Sequence, residues 1–333
     1  MFKLIAKLLL AAATVLPLAG HAQADNTVKL GYAKCAHCTP LALTPEHATG
    51  IKLEAIGFNT GNDVLTALLS KSIDVAQVTY LHYATALDKG FDLVAISGQV
   101  NGGSQILVGN DLPLAENDWD GLKKLIAKYK SDGKPFRVAA SRGNAQDIHM
   151  RGAFAKHGID VNKDVQFINI PNPSDHVQAL RRGEVELICS VDPFATQIRQ
   201  VKAARFFAFP YDQAAGKLTN LILTRPDVIA AKPKAVEETV RAIVKVDDLI
   251  ARDKPLFVAT IQKITGLDQA IAAGSVDNLY PDYKMYRAPA IAIGAMMRDL
   301  KYINSDVSAK IEKNLDYRFL EAVTGKPKTE LGY

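Results

Sequence analysis

Apolar and polar residues alternate along the first hundred positions with the spacings of strands and helices. Residues 28–32 and 51–56 alternate as strands do, and residues 62–69 place apolar side chains on one helical face. Strands are also predicted at residues 73–76 and 93–96, with a helix between them that stops at Gly90. This spacing of strands and helices predicts a mostly parallel sheet with helices on both faces.

The same pattern restarts after residue 110 and then gives way to helices. The second α/β unit has predicted helices at residues 122–129, 148–157 and 174–182, and predicted strands at residues 136–140, 165–168 and 185–189. A strand at residues 221–223 precedes a helical region, with helices at residues 233–252, 256–264, 267–277, 289–300 and 305–315. The fold class is therefore α/β, with two α/β lobes and a helical C-terminal cover.

The first 24 residues differ from the rest. Lys3 and Lys7 precede an apolar run and a small-residue site, Ala22-Gln23-Ala24, which is typical of a cleaved secretory signal. Removing 24 of 333 residues leaves 309, a length that favours two lobes, and removing the two lysines lowers the net charge from +5 to +3. We expect the mature protein to be periplasmic.

Charge and composition exclude several kinds of partner. The chain is 48% hydrophobic and 23% charged, as ordinary globular proteins are, and its charges are mixed without a long block of one sign. We therefore expect no nucleic-acid partner. The later apolar stretch at residues 288–297 is too short to span a bilayer, so no membrane insertion is expected.

Ordered motifs resemble one family of binding proteins. The segment 62–68 leading to Ser72-Ile73-Asp74-Val75-Ala76 looks like the "helix, then iDva strand" of periplasmic binding proteins for nitrate, taurine and alkanesulfonates. The turn Ser141-Arg142-Gly143-Asn144-Ala145, the segment 179–186 and Val191-Asp192-Pro193-Phe194 resemble that family's phosphate-loop-like turn, its "AL..G.vDa" segment and its "DP[FY]" element, in that order. The resemblance covers most of residues 26–225.

The resemblance implies a type II periplasmic binding protein of an ABC importer. Two lobes would be joined by crossing strands, and a small ligand would bind in the cleft between them as it closes. The first lobe would comprise residues 25–107 and 221–333, and the second residues 108–220. The partners would be a small-molecule ligand and the ABC transporter permease, and the protein is expected to be a monomer.

Polar loops at the carboxyl ends of the predicted strands are the candidate ligand-binding positions, because ligands of open α/β sheets bind at those ends. The turn after residue 140 opens a helix whose free amide groups favour an anion. The candidates outside the cysteine motif are Thr79, Tyr80, Asn101, Ser104, Ser141, Arg142, Gly143, Asn144, Asp192 and Asn220.

Each of these candidates also has a structural interpretation: residues 141–144 could be a simple turn with a helix cap, residues 101–104 a flexible connection between the lobes, and Tyr80 could merely pack on a helix. For two charged candidates the alternatives differ in what they imply for the ligand. Arg142 is either a solvated loop charge or a partner for a sulfonate or carboxylate. Asp192 either caps the next helix or faces the cleft, where it would suit an amine or a hydroxyl donor and disfavour an anion.

The motif Cys35-Ala36-His37-Cys38 departs from the family pattern, at a loop where the family contacts ligand. It could form a disulfide that shapes the cleft wall, which is the interpretation we favour. It could also be a redox centre, since CxHC before a helix resembles thioredoxin-like oxidases, or a soft-metal site with His47 as a further ligand. The third cysteine, Cys189, lies in an apolar run and is expected to be inert core.

The sequence as a whole favours a solute-binding protein without catalysis, metal or cofactor. Its expected ligand, from the resemblance, is a small sulfonate, nitrate or carboxylate, bound by the loop candidates and by Cys35, His37 and Cys38. Two enzyme alternatives stay open. One is a periplasmic thiol–disulfide oxidoreductase using Cys35 and Cys38, and the other is a metal-dependent enzyme like those of thiamine-pyrimidine synthesis, a branch that shares the fold.

Overall fold

A computed structural model describes residues 26–333, so the expected signal segment lies outside the described residues. The strands are β1 (Thr27–Ala33), β2 (Lys52–Phe58), β3 (Val75–Thr79), β4 (Val94–Gly102), β5 (Ser104–Val108), β6 (Arg137–Ala140), β7 (Gln166–Asn169), β8 (Leu187–Val191), β9 (Arg205–Ala208), β10 (Asn220–Thr224) and β11 (Leu279–Asp282).

Helices connect these strands and form the C-terminal part of the chain. The α-helices are α1 (Thr44–His47), α2 (Gly61–Leu69), α3 (Tyr80–Asp88), α4 (Trp119–Ser131), α5 (Ala145–Lys156), α6 (His176–Arg181), α7 (Phe194–Gln200), α8 (Pro226–Ala231), α9 (Pro233–Arg252), α10 (Lys254–Thr265), α11 (Gln269–Val276), α12 (Arg287–Asp299), α13 (Ser308–Asn314) and α14 (Arg318–Thr324). Short 3₁₀ helices cover Thr39–Leu43, Pro173–Asp175 and Lys328–Glu330. Among the described residues, no helix has the length and apolar character that a membrane span needs.

Two mixed sheets define two lobes. The first sheet has the order β11-β4-β10-β3-β1-β2, and the second has the order β7-β6-β8-β5-β9. β1 pairs in parallel with β2 and β3, and β6 pairs in parallel with β7 and β8. The strands next to the crossings, β5 and β10, run antiparallel to their neighbours. The predicted two-lobe α/β fold is confirmed.

Each lobe has its own apolar core, which explains why the periodicity of the sequence predicted its elements. The strands β3, β5, β8 and β10 are buried along their whole length because helices cover both faces of their sheets. The free thiol of Cys189 is buried in β8 within the second core, as expected. The predicted helix at residues 233–252 is α9, which packs with α10 over the first sheet.

The change of sheet occurs earlier than the expected exit from the first lobe after residue 107. β5 pairs with β8 and β9 of the second sheet, so the chain leaves the first sheet at Gly103. Both Gly102 and Gly103 have positive φ values, 89° and 88°, which glycine adopts without the strain that a side chain causes. β5, β9 and β11 were not predicted, and β4 continues past the predicted end at residue 96 to Gly102, through the buried polar residues Gln99 and Asn101.

The two crossing segments are bonded to each other and to the first lobe. The amide of Gly102 donates to the carbonyl of Lys217 at 2.9 Å, and the hydroxyl of Thr219 donates to the carbonyl of Gly102 at 3.0 Å. The amide of Gly103 donates to the carbonyl of Asn278 at 2.9 Å. The backbone of the crossing therefore has satisfied hydrogen bonds although it lies between two domains.

A buried ion pair on α5 connects the lobes. Arg151 donates from Nε to the carboxylate of Asp147 at 2.8 Å, with side-chain exposures of 8% and 0%. The guanidinium lies 4.6 Å from the ring centroid of Phe167 in the second lobe and 5.2 Å from that of Tyr302, beside the C-terminal helices. Arg151 thus satisfies a buried charge and makes cation–π contacts with both lobes.

Asp247 on α9 is a buried carboxyl group of a different kind. Among the described residues, neither of its oxygens has a hydrogen-bond partner of ordinary geometry. Burial raises the pKa of Asp247 well above its usual value, the carboxylates of Asp282 and Asp248 raise it further, and the backbone of Asp282 opposes them. The folded protein therefore favours the protonated form of this carboxyl group more strongly than an exposed Asp does.

Asp247→Asn is expected to flatten the pH dependence of stability. Because the pKa of Asp247 is higher in the folded than in the unfolded chain, its contribution is fully present in acid and is lost as pH rises through the folded pKa. The free energy of unfolding of the wild type, relative to the variant, should fall by about 1.4 kcal/mol per pH unit between the ordinary Asp pKa and the raised pKa of the folded protein, and level off above it. Urea titrations of both proteins across pH measure this difference, and a constant difference would contradict it.

Candidate functional site

A small cavity lies between the lobes at the carboxyl ends of β1, β3 and β8. Its volume is about 40 Å³. Since a water molecule needs at least about 10–15 Å³ on this measure, the cavity has room for about three water-sized groups. Its lining residues are Ala33, Lys34, Cys35, His37, Cys38, Asn59, Thr60, Gly61, Gln77, Val78, Thr79, Asn144, Ala145, Gln146, Pro173, Val191 and Phe194.

Three helices begin at the cavity wall. Thr60 caps α2 by accepting a hydrogen bond from the amide of Asp63 at 3.2 Å, and Thr79 caps α3 by accepting one from the amide of His82 at 3.3 Å. Asn144 precedes α5, and no side chain caps that helix. The first amide groups of a helix have no partner within it, so the three helix starts present positive partial charge to the cavity. Asp63 in the first turn of α2 and Asp147 in that of α5 offset part of this charge, whereas the first turn of α3 has no acidic residue.

The side chains of the lining strengthen this electropositive character. Among the lining residues, Lys34 is the one charged side chain, and no carboxylate is present. The nearby histidines add no charge, because burial lowers the pKa of His37 to about 3 and those of His82 and His149 to about 4, with His149 lowering that of His37 further. The cavity therefore suits a small anion held by amide groups and one ammonium group.

The motif at residues 35–38 forms one wall of the cavity. Cys35 and Cys38 are joined by a disulfide, and the Sγ atom of Cys35 lies 3.3 Å from Nε2 of His37. The amide of Ala36 donates to the carbonyl of Asp192 in the second lobe at 2.8 Å. This bond connects the cavity wall, which belongs to the first lobe, to the second lobe.

Neutral carboxamides form the floor of the cavity. Gln77 lines the cavity, and its Nε2 donates to Oδ1 of Asn220 at 2.6 Å. Asn220 in turn donates from Nδ2 to the carbonyl of His37 at 3.2 Å and to Oε1 of Gln99 at 3.3 Å. These bonds join β3, β4 and β10, so the floor is continuous with the strands that cross between the lobes.

The structure places five of the predicted site residues on the cavity wall and the others away from it. Those on the wall are Cys35, His37, Cys38, Thr79 and Asn144. Asn220, Asn101 and Ser104 lie behind the floor or at the crossing, where Asn101 accepts from the amides of Thr219 and Asn220 and Ser104 bonds to His149.

The remaining candidates have structural partners outside the cavity. Tyr80 accepts from the amide of Tyr286 in the first lobe, and Ser141 donates to the carbonyl of Ile170. The exposed Arg142 lies over the ring of Phe167, 4.9 Å from its centroid. Next to it, the amide of Gly143 donates to the carboxylate of Asp147.

Asp192 bonds to the start of α7, as one of its two interpretations predicted. Its buried carboxylate accepts from the amide and hydroxyl of Thr196, in the first turn of α7. It also accepts from Gln105 and Asn278. Burial raises the pKa of Asp192, while the hydrogen bonds from Gln105, Thr196 and Asn278 oppose that rise. The carboxylate of Asp192 therefore has its hydrogen-bond partners within the protein, and Asp192 is not among the residues that line the cavity.

Several wall residues were not among the sequence candidates. Gln77 carried a signal, since a polar residue inside the apolar strand 75–78 must find a partner when it is buried. Thr60 and Gly61 directly precede the helix predicted from residue 62, and nothing in the sequence indicated that this helix start meets the second lobe. The other unpredicted polar positions are Lys34, Asn59 and Gln146.

A comparison with known families decides the membership of the chain. The NMT1-like family profile matches residues 21–264. The chain belongs to the NMT1-like family. This membership and the two-lobe fold agree with the resemblance in the sequence, whose ordered motifs lie in the same part of the chain.

Relatives of this NMT1-like protein include proteins named for the anions they bind. It is 27% identical over 197 residues to the bicarbonate-binding protein CmpA of Synechococcus elongatus, a match that covers 52% of this chain and 42% of CmpA. The NMT1-like protein thus spans less than half the length of the curated relatives it matches.

Solved structures share the fold at low sequence identity. The nitrate-binding protein NrtA of Synechocystis has a TM-score of 0.76 at 17% identity, covering 92% of this chain and 91% of NrtA. The aliphatic sulphonate-binding protein SsuA of Escherichia coli has a TM-score of 0.69 at 18% identity, covering 87% of this chain and 92% of SsuA. The fold of the NMT1-like protein is therefore that of periplasmic binding proteins.

Proposed function

We propose that this NMT1-like protein is an extracytoplasmic binding protein that takes a small oxyanion into the cleft and delivers it to the permease of an ABC importer. The observation that carries the proposal is the convergence of three helix N-termini on a cavity whose one charged lining side chain is Lys34. The names of CmpA, NrtA and SsuA, which refer to bicarbonate, nitrate and sulphonates, support the same class of ligand.

The size of the cavity favours compact oxyanions. A volume of about 40 Å³ suits ions with few heavy atoms, such as nitrate, bicarbonate, formate or methanesulfonate. A longer alkanesulfonate needs the lobes to separate, which breaks contacts such as the bond from Ala36 to Asp192. The proposed role is binding and delivery by a periplasmic monomer, without catalysis.

A thermal-shift panel tests the proposal. A ligand that binds only the folded protein stabilises it by RT ln(1 + [L]/Kd), which is about 2.7 kcal/mol at a hundredfold excess over Kd. Nitrate, bicarbonate, formate and methanesulfonate are compared at constant ionic strength with propanesulfonate. We expect at least one compact anion to give a saturable shift.

Neutral molecules of the same shape provide the control. Dimethyl sulfone has nearly the shape of methanesulfonate, and formamide that of formate, but neither carries a charge. Both neutral molecules should leave the melting temperature unchanged. If no anion gives a saturable shift, or if the neutral molecules bind equally well, the proposed function is wrong.

Gly61→Ala is expected to weaken anion binding. A Cβ atom at Gly61 would lie 2.8 Å from Cε1 of His82 and 2.9 Å from Oδ1 of Asn144, which belongs to the second lobe. Overpacking of this kind costs about 1–3 kcal/mol. Because the clash involves the second lobe, this cost raises the free energy of the closed cleft. The dissociation constant of the anion identified by the panel should rise roughly 5- to 150-fold. Isothermal titration calorimetry measures the change.

Gly294→Ala is the matched control for that substitution. Gly294 lies in α12 of the first lobe, and a Cβ atom there would crowd Cγ2 of Val307 at 3.1 Å, away from the residues that line the cavity. Its dissociation constant should equal that of the wild type. Equal affinities of wild type and Gly61→Ala would show that the cleft does not close on the ligand as the cavity geometry requires.

A further inference from the structure

The wall of the cavity contains a group of donors that the proposed anion site does not use. The two sulfur atoms of Cys35 and Cys38 and a ring nitrogen of His37 lie within 4.8 Å of one another. In the part of the chain from residue 26 onward, this is the one such group of histidine, cysteine or acidic residues. His47, considered from the sequence as a further ligand, does not belong to it.

We propose that reduction of the Cys35–Cys38 disulfide creates a site for a thiophilic cation such as Zn²⁺. The ligands would be the two thiolates and Nε2 of His37, and the fourth position would face the cavity. In tetrahedral zinc sites the ligand atoms lie about 2.0–2.3 Å from the metal and hence roughly 3.5–4 Å from one another. The 3.3 Å between the Cys35 sulfur and Nε2 of His37 needs only a small adjustment to reach that spacing.

The backbone of residues 35–39 is held by bonds that do not depend on the disulfide. The amides of Cys38 and Thr39 donate to the carbonyl of Cys35 at 2.9 and 3.0 Å, and the hydroxyl of Thr39 donates to the carbonyl of Ala36 at 3.0 Å. With the bonds from Ala36 to Asp192 and from Asn220 to His37, they fix a turn whose cysteine Cα atoms are 5.1 Å apart. Breaking the S–S bond should therefore leave both sulfurs close enough to share one metal ion.

The chemistry of the surroundings selects the type of cation. Carboxylate ligands, which Mg²⁺ and Ca²⁺ prefer, are absent from the lining residues. Two thiolates and an imidazole suit Zn²⁺ or Cu⁺. The ammonium group of Lys34 lines the same cavity and opposes a cation, but two thiolates carry the larger, opposite charge. His37 and Cys38 are 3% and 1% exposed, so the metal would be held at a largely dry wall.

The redox step is a thiol–disulfide exchange. A dithiol reductant supplies two electrons and two protons, the Cys35–Cys38 bond breaks to give two thiols, and the reductant becomes a disulfide. When Zn²⁺ binds, the two thiols release their protons to solvent. Oxidation of the thiols would remove both sulfur ligands and release the cation, so occupancy of the site would follow the redox state of the pair.

Metal titration of the two redox forms tests the proposal. The full-length mature protein, without a histidine tag, is reduced with dithiothreitol under nitrogen, freed of reductant, and titrated with Zn²⁺ against a chromophoric chelator. We expect the reduced protein to bind one equivalent at least 100-fold more tightly than the oxidised protein. With Co²⁺ as a second probe, a thiolate-to-cobalt charge-transfer band should appear only after reduction.

Matched variants assign the ligands. Cys38→Ser should lose the tight equivalent, and His37→Asn should weaken it at least tenfold, whereas Cys189→Ser and His47→Asn should bind as the wild type does. Equal binding by the oxidised and reduced wild type, or tight binding that survives Cys38→Ser, would overturn the proposal. Because the anion panel uses the oxidised protein, failure of the metal site and failure of the anion site give separate results.

Discussion

Arg151→Met is expected to lower the free energy of unfolding by about 3–5 kcal/mol, because it leaves a buried carboxylate without its partner. The side chain of Asp147 is fully buried, and its carboxylate bonds to Nε of Arg151 at 2.8 Å. Methionine keeps much of the apolar volume between Phe167 and Tyr302 but supplies no charge and no donor. Urea unfolding followed by circular dichroism measures the loss.

Lys128→Met is the matched control for that loss. Lys128 and Asp132 form an ion pair with the same helical spacing, but their side chains are 67% and 46% exposed. Exposed pairs of this kind contribute little to stability because water and salt screen them. The double variant Asp147→Asn/Arg151→Met should recover part of the stability, since it removes the unpaired charge. Similar losses for Arg151→Met and Lys128→Met would show that burial of the pair has no special effect.

Gly102→Ala should destabilise the protein through two separate costs. A positive φ of 89° costs an alanine about 1–2 kcal/mol relative to glycine. In addition, a Cβ atom there would lie 2.2 Å from the carbonyl oxygen of Asn278 and 2.9 Å from the ring of Tyr280, and overpacking adds about 1–3 kcal/mol. Because the carbonyl is backbone, a side-chain rotation cannot relieve the clash. Chemical denaturation measures the total loss in the free energy of unfolding.

Gly90→Ala separates the two costs. Gly90 has nearly the same φ, 83°, and a Cβ atom there would meet nothing within 4 Å. It should therefore show the backbone cost alone, and the difference between the two variants should equal the clash at the crossing. If both variants lose the same stability, the crossing is able to move away from Asn278, and the close packing between the crossing and β11 is not required for folding.

The fold was largely predictable from the sequence because its main elements are buried in a regular way. Strands such as β3 and β8 lie between helices and are buried throughout and mostly apolar, and α9 has a continuous apolar face. The elements that were missed have weaker signals. β9 and β11 are short edge strands of four residues each, and β5 follows two glycines that mark a change of sheet rather than the end of a strand.

The candidate site was predictable only in part, because the cavity is formed by two lobes. Loops at strand ends and helix starts correctly indicated where Thr79 and Asn144 lie. Which other side chains face the cavity depends on contacts between residues far apart in the chain. Arg142 lies outside the cavity, over the ring of Phe167 on β7. Thr60 lies on the wall because the start of α2 meets the loop before α5, where Nδ2 of Asn62 donates to the carbonyl of Arg142.

The low pKa values of the histidines around the cleft limit the effect that mild acid can have on ligand binding. With pKa values of about 3 to 4, the rings of His37, His82 and His149 keep one protonation state from neutral pH down to about pH 5. Over that range these rings cannot change the affinity of the cleft. A fall in binding on mild acidification would then come from the carboxyl groups or from the anion itself, and proton uptake by the anion would make the pH profile of bicarbonate differ from that of nitrate although the two have the same shape.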